Sequence, residues 1–228
     1  MTIRDMVARH SDFDETGDFV PTPPWATRAL YEYVAPNLKM NAAFGDFYDP
    51  ACGHGHMMQV AKEYGHPTVF GSDFSAPQLL KARERLGPDY KLWHEDYIDG
   101  GMLPETYHTI VTNPPYKHLN EFINKALDTA QHGVGILCRV QALEGEKRWK
   151  NVYTKRPPTQ IAFFSNRIPF KTGAVVQKAP KMFFHVWLWW EEYFGPAMNR
   201  RKWASPRPPM WIPYDAQTRL EKDEDYVN

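Results

Sequence analysis

Four successive segments of this chain each have the pattern of a short buried β-strand that ends at a polar side chain. Three of them end at acids and the fourth ends at an amide, and these residues are Asp49, Asp73, Asp96 and Asn113. Helical patterns near residues 55–64, 76–86 and 119–132 follow the first, second and fourth segments. Strands that alternate with helices in this way predict an α/β fold, with a mostly parallel sheet and helices on both faces. Ligands bind such sheets at the carboxyl ends of the strands, so the four polar residues mark a candidate site.

The predicted elements extend over most of the 228 residues, a length that suits one α/β domain. The predicted strands are Phe44–Asp49, Pro67–Ser72, Tyr90–His94, Tyr107–Thr112, Val134–Arg139, Ile161–Phe164 and Phe183–Trp190. The last two are expected to pair antiparallel. Residues 1–20 are polar and acidic and are expected to be flexible. Residues 141–159 are expected to form a short helix and loop, and Pro206–Pro213 a proline-rich tail segment.

The strand Tyr107–Thr112 runs directly into Asn113-Pro114-Pro115-Tyr116. The prolines fix φ and lack an N–H, and Pro115 holds Pro114 in an extended conformation. The Asn113 side-chain oxygen and the Pro114 carbonyl can then accept two hydrogen bonds from one planar NH2 group. Tyr116 can stack on the ring that carries this group. The motif therefore predicts a site for an exocyclic amine or amide nitrogen, and a simple turn is the alternative that the motif alone leaves open.

A glycine-containing loop, Asp49–His56, follows the first strand and precedes an apolar helical pattern. Gly53 and Gly55 allow the backbone to pass close to a ligand. Asp73 lies about twenty positions further on, where a carboxylate can accept both hydroxyls of a ribose. Dinucleotide-binding folds share these features, but the third glycine of their fingerprint is absent here. Together with the amide motif, the loop predicts a cofactor site beside an amine site.

These elements, in this order, resemble the class I S-adenosylmethionine-dependent methyltransferases that modify amino nitrogens, specifically the adenine-N6 DNA group. The segments that carry the resemblance are Pro21–Trp25, Asp49–Gly55, Asp73, Asp96 and Asn113–Tyr116. Later segments such as Trp187–Trp190 resemble small enzymes carried by phages and prophages. The resemblance implies a Rossmann-like class I methyltransferase fold with an antiparallel C-terminal strand. It also implies a single methyltransferase domain over residues 1–228, without a separate target-recognition domain.

The resemblance further implies roles for individual residues. S-adenosyl-L-methionine is the implied cofactor, and its implied contacts are Thr22, Trp25, Asp49, Ala51, Gly53, Gly55, Asp73, Phe74, Asp96, Tyr97 and Phe122. The implied catalytic residues are Asn113, Pro114, Pro115 and Tyr116. Phe164 matches the aromatic residue that sandwiches the target base, but core packing of Phe164 and a rival role for Phe163 stay open.

Positive charge is concentrated in the second half of the chain. The whole chain has 27 basic and 27 acidic residues, yet residues 139–207 hold 14 basic and 4 acidic ones. Aromatic residues interleave with these basic ones, a combination that suits base stacking with phosphate contact. We therefore expect nucleic acid, DNA foremost, to contact residues 139–210, and a solvated basic loop surface is the alternative. The candidate contacts are Lys147, Arg148, Arg200, Arg201 and Lys202.

Other features restrict the class of protein. The start of the chain lacks a signal-peptide pattern, and the longest apolar run, Met182–Trp190, is too short to span a bilayer, so a cytoplasmic protein without a membrane partner is expected. Two cysteines do not form a disulfide framework. His54, His56 and His66 supply too few ligands for a metal site, so no metal is expected.

Two alternatives to a DNA adenine methyltransferase stay open from the sequence. One is a methyltransferase with another amino target, namely cytosine N4, an RNA adenine or a protein glutamine. The other is a non-catalytic nucleic-acid-binding module that keeps the fold. Asn rather than Ser at position 113 favours adenine over cytosine, and the intact polar residues at the strand ends favour an enzyme.

Overall fold

A mostly parallel sheet is the frame of the molecule. The computed structural model describes residues 20–100, 107–179, 183–192 and 203–226. The strands are β1 (Phe47–Asp49), β2 (Val69–Asp73), β3 (Lys91–His94), β4 (Tyr107–Thr112), β5 (Ala130–Arg139), β6 (Gln160–Phe164), β7 (Phe170–Lys171), β8 (Ala174–Val175), β9 (His185–Glu191) and β10 (Met210–Ile212). The α-helices are α1 (Pro24–Ala29), α2 (Pro36–Asn41), α3 (His56–Glu63), α4 (Ala76–Leu86), α5 (Leu119–Thr129), α6 (Glu146–Arg148) and α7 (Ala216–Leu220). Short 3-10 or π-helical turns lie at Leu30–Val34, Ala42–Phe44, Tyr116–His118, Val140–Leu143, Trp149–Tyr153 and Asp223–Tyr226.

Eight strands form one sheet in the order β3-β2-β1-β4-β5-β9-β6-β10, and β7 pairs with β8 separately. Strand β9 runs antiparallel to β5 and β6, whereas the other neighbouring pairs in this sheet are parallel. This arrangement confirms the predicted α/β fold and the predicted antiparallel pair of strands. The strand order reverses between β1 and β4, because β2 lies on one side of β1 and β4 lies on the other. Within the described ranges, no helix is both long and apolar enough to cross a lipid bilayer.

The C-terminal part of the chain adds an edge strand that the sequence pattern did not predict. The prediction of a proline-rich tail over Pro206–Pro213 is wrong for Met210–Ile212, which pairs parallel with β6. The prolines flank this strand, and an edge strand tolerates nearby residues that lack an N–H. Gln160 anchors the segment, because its Nε2 donates to the Pro208 carbonyl at 2.8 Å.

The helix predicted over residues 119–132 ends at Thr129, and β5 begins at Ala130. Tyr107 of β4 pairs with Ala130, and the register then shifts before Thr109 pairs with Gly133. Gly133 also lets the Trp189 ring approach, since a Cβ at this position would lie 2.1 Å from Trp189 Cη2. Pairing with β4 and packing against β9 thus override the helical pattern of residues 130–132.

Tryptophan side chains of β9 fill the core on both faces of the sheet. Trp187, Trp189 and Trp190 are fully buried. Trp187 Nε1 donates to the Ala26 carbonyl at 2.9 Å and so holds α1 against one face. Trp190 points to the other face, where its Nε1 donates to the Arg156 carbonyl at 2.9 Å. Strand β9 therefore positions both the N-terminal helix and the loop that precedes β6.

A buried guanidinium group ties α1 to α3 and to the C-terminal end of the described chain. Arg28 Nε lies 2.8 Å from Glu63 Oε2, and Arg28 Nη1 lies 2.7 Å from Asp225 Oδ2. Arg28 Nη1 also donates to the Leu220 carbonyl at 2.8 Å. A buried charge is tolerated when its partners satisfy it, and breaking such a pair is strongly destabilising. The network holds α1 in place, and with it Thr22, which precedes the helix.

Burial of His66 predicts that acid destabilises the fold. His66 Nδ1 donates to the Gly45 carbonyl at 2.7 Å, and Nε2 then accepts from the Tyr31 hydroxyl at 3.1 Å. Burial lowers the pKa of His66 from 6.5 to about 4. Between these two pKa values the unfolded chain binds more protons than the folded protein. The unfolding free energy is therefore unaffected by His66 above pH 6.5 and falls as the pH drops to about 4. The total loss of unfolding free energy from this group is about 3 kcal/mol.

We expect His66→Gln to reduce the pH dependence of the unfolding free energy in this window, measured by urea denaturation at a series of pH values. The exposed residue His94, changed to Gln, is the matched control and should leave the dependence as it is in the wild type. A slope that is the same in all three proteins would assign the acid sensitivity to other groups.

Candidate active site

The reversal of strand order opens a cavity between the loops that follow β1 and β4. In an open α/β sheet this switch point is where the chain leaves neighbouring strands toward opposite faces. The cavity here has a volume of about 560 Å³, within the range of about 300–1,000 Å³ that is usual for small-molecule sites. Nine predicted site residues line it: Thr22, Asp49, Ala51, Asp73, Phe74, Asn113, Pro114, Pro115 and Tyr116. The structure therefore brings the predicted cofactor loop and the predicted amine motif into one cavity.

The loop after β1 is folded around two carboxylates. Asp49 accepts from the Ala51 N–H at 3.1 Å. Asp73, at the end of β2, accepts from the Gly53 N–H at 2.8 Å and from the Ser75 N–H at 2.9 Å. Gly53 has φ +50°, a value that side-chain-bearing residues rarely adopt, so glycine is what allows its N–H to reach Asp73. Asp73 also lines the cavity, where a carboxylate can accept from a ligand.

Asp49 has an unusual acidity for a carboxyl group. It is buried, and burial raises its pKa to about 7. The nearby charge of Asp73 acts in the same direction, while the Ala51 N–H acts against it. A positively charged ligand in the cavity would favour the ionised form of Asp49 and lower this pKa. This end of the cavity is therefore suited to a cation or to a group with several hydroxyls.

The Asn113 side chain is oriented by a residue 91 positions earlier in the chain. Its Nδ2 donates to the Thr22 hydroxyl oxygen at 3.1 Å. Thr22 is buried just before α1, so its hydroxyl is a fixed acceptor. Because the amide nitrogen is held by Thr22, the amide oxygen is the end of the group that remains to accept from a ligand. Thr22 thus positions the amide, a role that the sequence did not predict for it.

Aromatic and basic side chains form the other end of the cavity. Tyr116 has 36% of its surface exposed. The Arg139 guanidinium carbon lies 4.7 Å from the centroid of the Tyr116 ring and 3.7 Å from that of Phe183. Lys117 and His185 also line the cavity. Burial lowers the pKa of His185 to about 4, with the Arg139 charge acting in the same direction, so His185 is neutral at physiological pH. This end is cationic, whereas the Asp49 and Asp73 end is acidic.

Several predicted site residues lie outside the cavity wall. Trp25 and Phe164 are buried in the core, where their rings meet edge to face at 5.6 Å. Phe164 therefore has the core packing that the sequence left open, and its role at the target base stays a prediction, while its rival Phe163 stacks on Trp211 with the ring centroids 5.7 Å apart. The alternation of side chains along β6 places Phe164 toward the core and Phe163 on the opposite face.

The residues predicted for the adenine end of the cofactor, Asp96, Tyr97 and Phe122, do not line the cavity either. Asp96 accepts from the Ile98 N–H at 2.9 Å, and the Tyr97 and Phe122 rings pack with their centroids 5.1 Å apart. Tyr97 and Phe122 are buried, so their rings have little surface for a ligand in this conformation. Gly53 and Gly55 shape the loop without lining the cavity themselves.

The predicted basic contacts have different environments. Arg148 donates to the Asn120 side chain at 2.8 Å and to the Ala142 and Glu144 carbonyls at 2.9 and 3.0 Å, so it braces its own loop. Lys147 is exposed on α6. Arg200, Arg201 and Lys202 lie outside the described residues.

The structure adds site residues that the sequence did not predict, chiefly Arg139, Phe170, Phe183 and His185. Arg139 is the last residue of β5, which pairs with β4, the strand that precedes Asn113. A basic residue at the end of this strand was therefore the sequence signal that could have identified Arg139 as a site residue. The position of the other three depends on the pairing of β9 and of β7, which the sequence pattern does not reveal.

Metal and thiol chemistry find little support at the cavity. Within the part of the chain that the structure describes, no group of three or more His, Cys, Asp or Glu residues is arranged to hold a metal ion. Cys52 and Cys138 are both buried, and burial raises the pKa of Cys52 well above its usual value and that of Cys138 to about 12. A thiol nucleophile needs the opposite shift.

Comparison with known proteins supports the fold. No protein-family model and no curated protein sequence matches the chain. Among solved structures, a protein named as a modification subunit of a type I restriction enzyme from Vibrio vulnificus YJ016 aligns with a TM-score of 0.58 and 14% identity, over 95% of this chain and 55% of that one. A protein named as an RNA methyltransferase from Pyrococcus horikoshii aligns with a TM-score of 0.55 and 15% identity, over 75% and 85% of the two chains. A dimethyladenosine transferase from Plasmodium falciparum aligns with a TM-score of 0.52 and 11% identity, over 75% and 62%.

These similarities show that the chain has the Rossmann-like fold of the class I methyltransferases. The identities are too low to show more than the fold. The chain also spans only 55% of the Vibrio subunit and 62% of the Plasmodium enzyme.

The glycine at the start of α3 predicts a measurable strain. Gly55 has φ +78°, and a Cβ there would lie 2.3 Å from Leu86 Cδ1. We expect Gly55→Ala to lower the unfolding free energy by about 1–2 kcal/mol from backbone strain alone, plus the cost of moving Leu86. Gly65→Ala is the matched control, because Gly65 has φ +94° and nothing within 4 Å of a Cβ. Equal losses in urea denaturation would show that Leu86 does not constrain the loop.

Proposed function

We propose that this protein transfers a methyl group from S-adenosylmethionine to the exocyclic N6 of adenine in DNA. The observation that carries the proposal is the Asn113 amide, which Thr22 orients in the same cavity as the Asp49 and Asp73 carboxylates. One end of the cavity is suited to a cationic nucleoside cofactor, and the Asn113 motif beside it is suited to an amine.

The acidic end of the cavity fits the cofactor. Asp73 is placed to accept hydroxyls of a ribose, and the glycine loop allows the backbone to lie close to it. Asp49 offers a buried carboxylate to a positively charged group. When bound, S-adenosylmethionine supplies an electrophilic methyl group on a cationic sulfur. We also propose Asp96, Tyr97 and Phe122 as contacts of the cofactor adenine.

Asn113 would activate the amine by accepting hydrogen bonds from it. The lone pair of the adenine amino nitrogen is delocalised into the ring, so the group is a weak nucleophile. Hydrogen bonds from its two hydrogens to Asn113 Oδ1 and to the Pro114 carbonyl would draw the nitrogen toward tetrahedral geometry and free the lone pair. Positioning of this kind can lower a barrier by about 7–11 kcal/mol. As the new bond forms, the methyl group would leave the sulfonium sulfur, which departs as a neutral thioether. The nitrogen would then release one of these protons to solvent, and no covalent enzyme intermediate is required.

Tyr116 would hold the target base in the cavity. A base in a duplex cannot reach Asn113, so it must leave the helix at a cost of a few kcal/mol. Stacking on Tyr116 would return about 1–3 kcal/mol of this cost. The Arg139 guanidinium lies over the Tyr116 ring in the present structure, so the base would use the other ring face or displace Arg139.

The choice of nucleic acid rests on charge and on related folds. Residues 139–207 carry a strong positive excess, as expected for a surface that meets a polyanion. The structural neighbours include proteins named as a restriction-enzyme modification subunit, an RNA methyltransferase and a dimethyladenosine transferase, which favours nucleic acid as the substrate class. We propose that the whole chain acts as one methyltransferase domain, with residues 139–210 facing the substrate.

The amine-holding role of Asn113 predicts a selective loss of turnover. We expect Asn113→Ala to abolish methyl transfer to DNA while the affinity for S-adenosylmethionine, measured by calorimetry, stays close to that of the wild type. Thr22→Val should also lower turnover, because Asn113 then loses its acceptor and its amide can rotate.

Thr22→Ser is the matched control for the hydroxyl, since serine keeps the acceptor. We expect this variant to retain most of the wild-type turnover. Near-normal turnover in Asn113→Ala would refute the assignment of the amine site. Equal losses in Thr22→Ser and Thr22→Val would mean that the threonine methyl group matters rather than its hydroxyl.

The raised pKa of Asp49 predicts that cofactor affinity depends on pH. Asp49 is protonated below about pH 7 and ionised above it, and a cationic ligand favours the ionised form. The affinity for S-adenosylmethionine should therefore rise by about tenfold or more between about pH 5.5 and about pH 7.5. His56 and His185 do not confound this window, because burial lowers the pKa of each and keeps them neutral there.

Asp49→Asn should bind weakly and almost independently of pH over the same range in calorimetry. The exposed residue Asp89, changed to Asn, is the control and should retain the wild-type pH dependence. If Asp49→Asn keeps the full pH dependence, another group, with Asp73 the first candidate, titrates in the cavity.

A further inference from the structure

The cationic end of the cavity is a second place where a ligand group can bind. Arg139 is the last residue of β5, which pairs with β4, so its side chain emerges beside Asn113 at the same edge of the sheet. Arg139 lines the cavity together with Tyr116 and Phe183. The activation of an amine, as proposed above, makes no use of Arg139.

The guanidinium group of Arg139 lies over two aromatic rings. Its carbon lies 3.7 Å from the centroid of the Phe183 ring and 4.7 Å from that of Tyr116. Stacking of this kind engages the face of the guanidinium and leaves its N–H donors in the plane of the group. Paired donors in one plane match the oxygens of a phosphate or carboxylate. The aromatic contacts therefore orient Arg139, whose side chain also hydrogen-bonds to Tyr116, and leave its Nε without a partner among the described residues.

The charge of Arg139 also lacks a partner in the described part of the chain. The structure gives carboxylate partners for other arginines, namely Arg28, Arg156, Arg207 and Arg219. Among the described residues, no carboxylate lies within ion-pair distance of Arg139. Its Nε is buried and has no hydrogen-bond partner there either. A cation placed in this way is costly unless a ligand supplies the missing anion.

The surroundings of Arg139 do not supply that anion. His185 is paired with Arg139 across β5 and β9, and its Nδ1 is likewise buried without a hydrogen-bond partner in the described residues. Phe170 packs on His185 with the ring centroids 4.6 Å apart. The carboxylates that line the cavity, Asp49 and Asp73, are the last residues of β1 and β2. Among the described residues, the Arg139 end is thus a slot with aromatic walls, an unpartnered Nε donor and no carboxylate.

We propose that Arg139 binds a phosphate group of the nucleotide whose amine Asn113 holds. The inference rests on the proposed function and narrows it, because a glutamine side chain carries no anion next to its amide. It assigns the aromatic slot to the backbone of the substrate and the Asn113 motif to its base.

The test uses short single-stranded DNA with one adenine among thymines, bound to the full chain saturated with S-adenosylhomocysteine. One linkage, on the 5′ or the 3′ side of the adenine, is replaced by an uncharged methylphosphonate, and a distant linkage is replaced as a control. Dissociation constants are measured by fluorescence anisotropy for the wild type and for Arg139→Met and Arg139→Lys. Arg167→Met is the matched control, because the Arg167 guanidinium also stacks on a ring, that of Phe184 at 4.1 Å, but does not line the cavity.

We expect the wild type to bind the DNA about tenfold or more weakly when one adjacent linkage is neutral, and to be little affected by the distant one. Arg139→Met should bind unmodified DNA more weakly by a similar factor and should no longer respond to the neutral linkage. Arg139→Lys should keep part of the response, whereas Arg167→Met should keep all of it. Unchanged affinity for S-adenosylhomocysteine in Arg139→Met would exclude a folding defect as the cause.

Full sensitivity of Arg139→Met to the neutral linkage would overturn the assignment of the phosphate. The assignment would also be overturned if 7-deazaadenine in place of adenine removed the difference in DNA affinity between the wild type and Arg139→Met. Arg139 would then contact the edge of the base. In both cases methylation of DNA by the wild type leaves the proposed function standing. If the wild type neither binds nor methylates DNA, the proposed function fails and this inference fails with it.

Discussion

After β1 and after β4 the chain leaves the sheet toward opposite faces, and the rest of the site depends on this arrangement. It separates the loop after β1 from the Asn113 motif after β4 and leaves a cavity between them. The N-terminal segment closes one side, because Thr22 bonds to Asn113 and Arg28 locks α1 in place. Three distant parts of the sequence thus meet at one point, each held there by an interaction of its own.

The distribution of charge within the cavity gives its two ends different tasks. Asp49 and Asp73 face a space that suits a cation and sugar hydroxyls, whereas Arg139 and Lys117 face a space that suits an anion. A methyl donor with a positive sulfur and a polynucleotide with negative phosphates have the matching charges. Asn113 shares the cavity with both groups and is itself neutral, so it can hold the amine without drawing either charged ligand to the wrong end. The opposed charges would orient the two substrates before any chemistry occurs.

Local motifs made much of the fold and site predictable, and long-range packing accounts for what was missed. The glycine loop and the Asn113 motif were predictable because each follows its strand directly and needs no knowledge of register. The packing of Phe164 could not be decided from the sequence because the face of β6 that it occupies depends on the pairing of β6 with β9. Arg139 was overlooked because it meets Phe183 only through the pairing of β5 with β9. The edge strand β10 escaped prediction because its prolines resemble those of a loop.

Identification of the methylated product tests the central claim most directly. The protein would be incubated with S-adenosylmethionine carrying a labelled methyl group and with duplex DNA, single-stranded DNA, RNA and a protein mixture in parallel. Enzymatic digestion and mass spectrometry then identify the labelled residue. The account predicts label in DNA as N6-methyladenine, and none when Asn113 is replaced by Ala. Label in glutamine or in N4-methylcytosine, or no transfer to any acceptor, would contradict it.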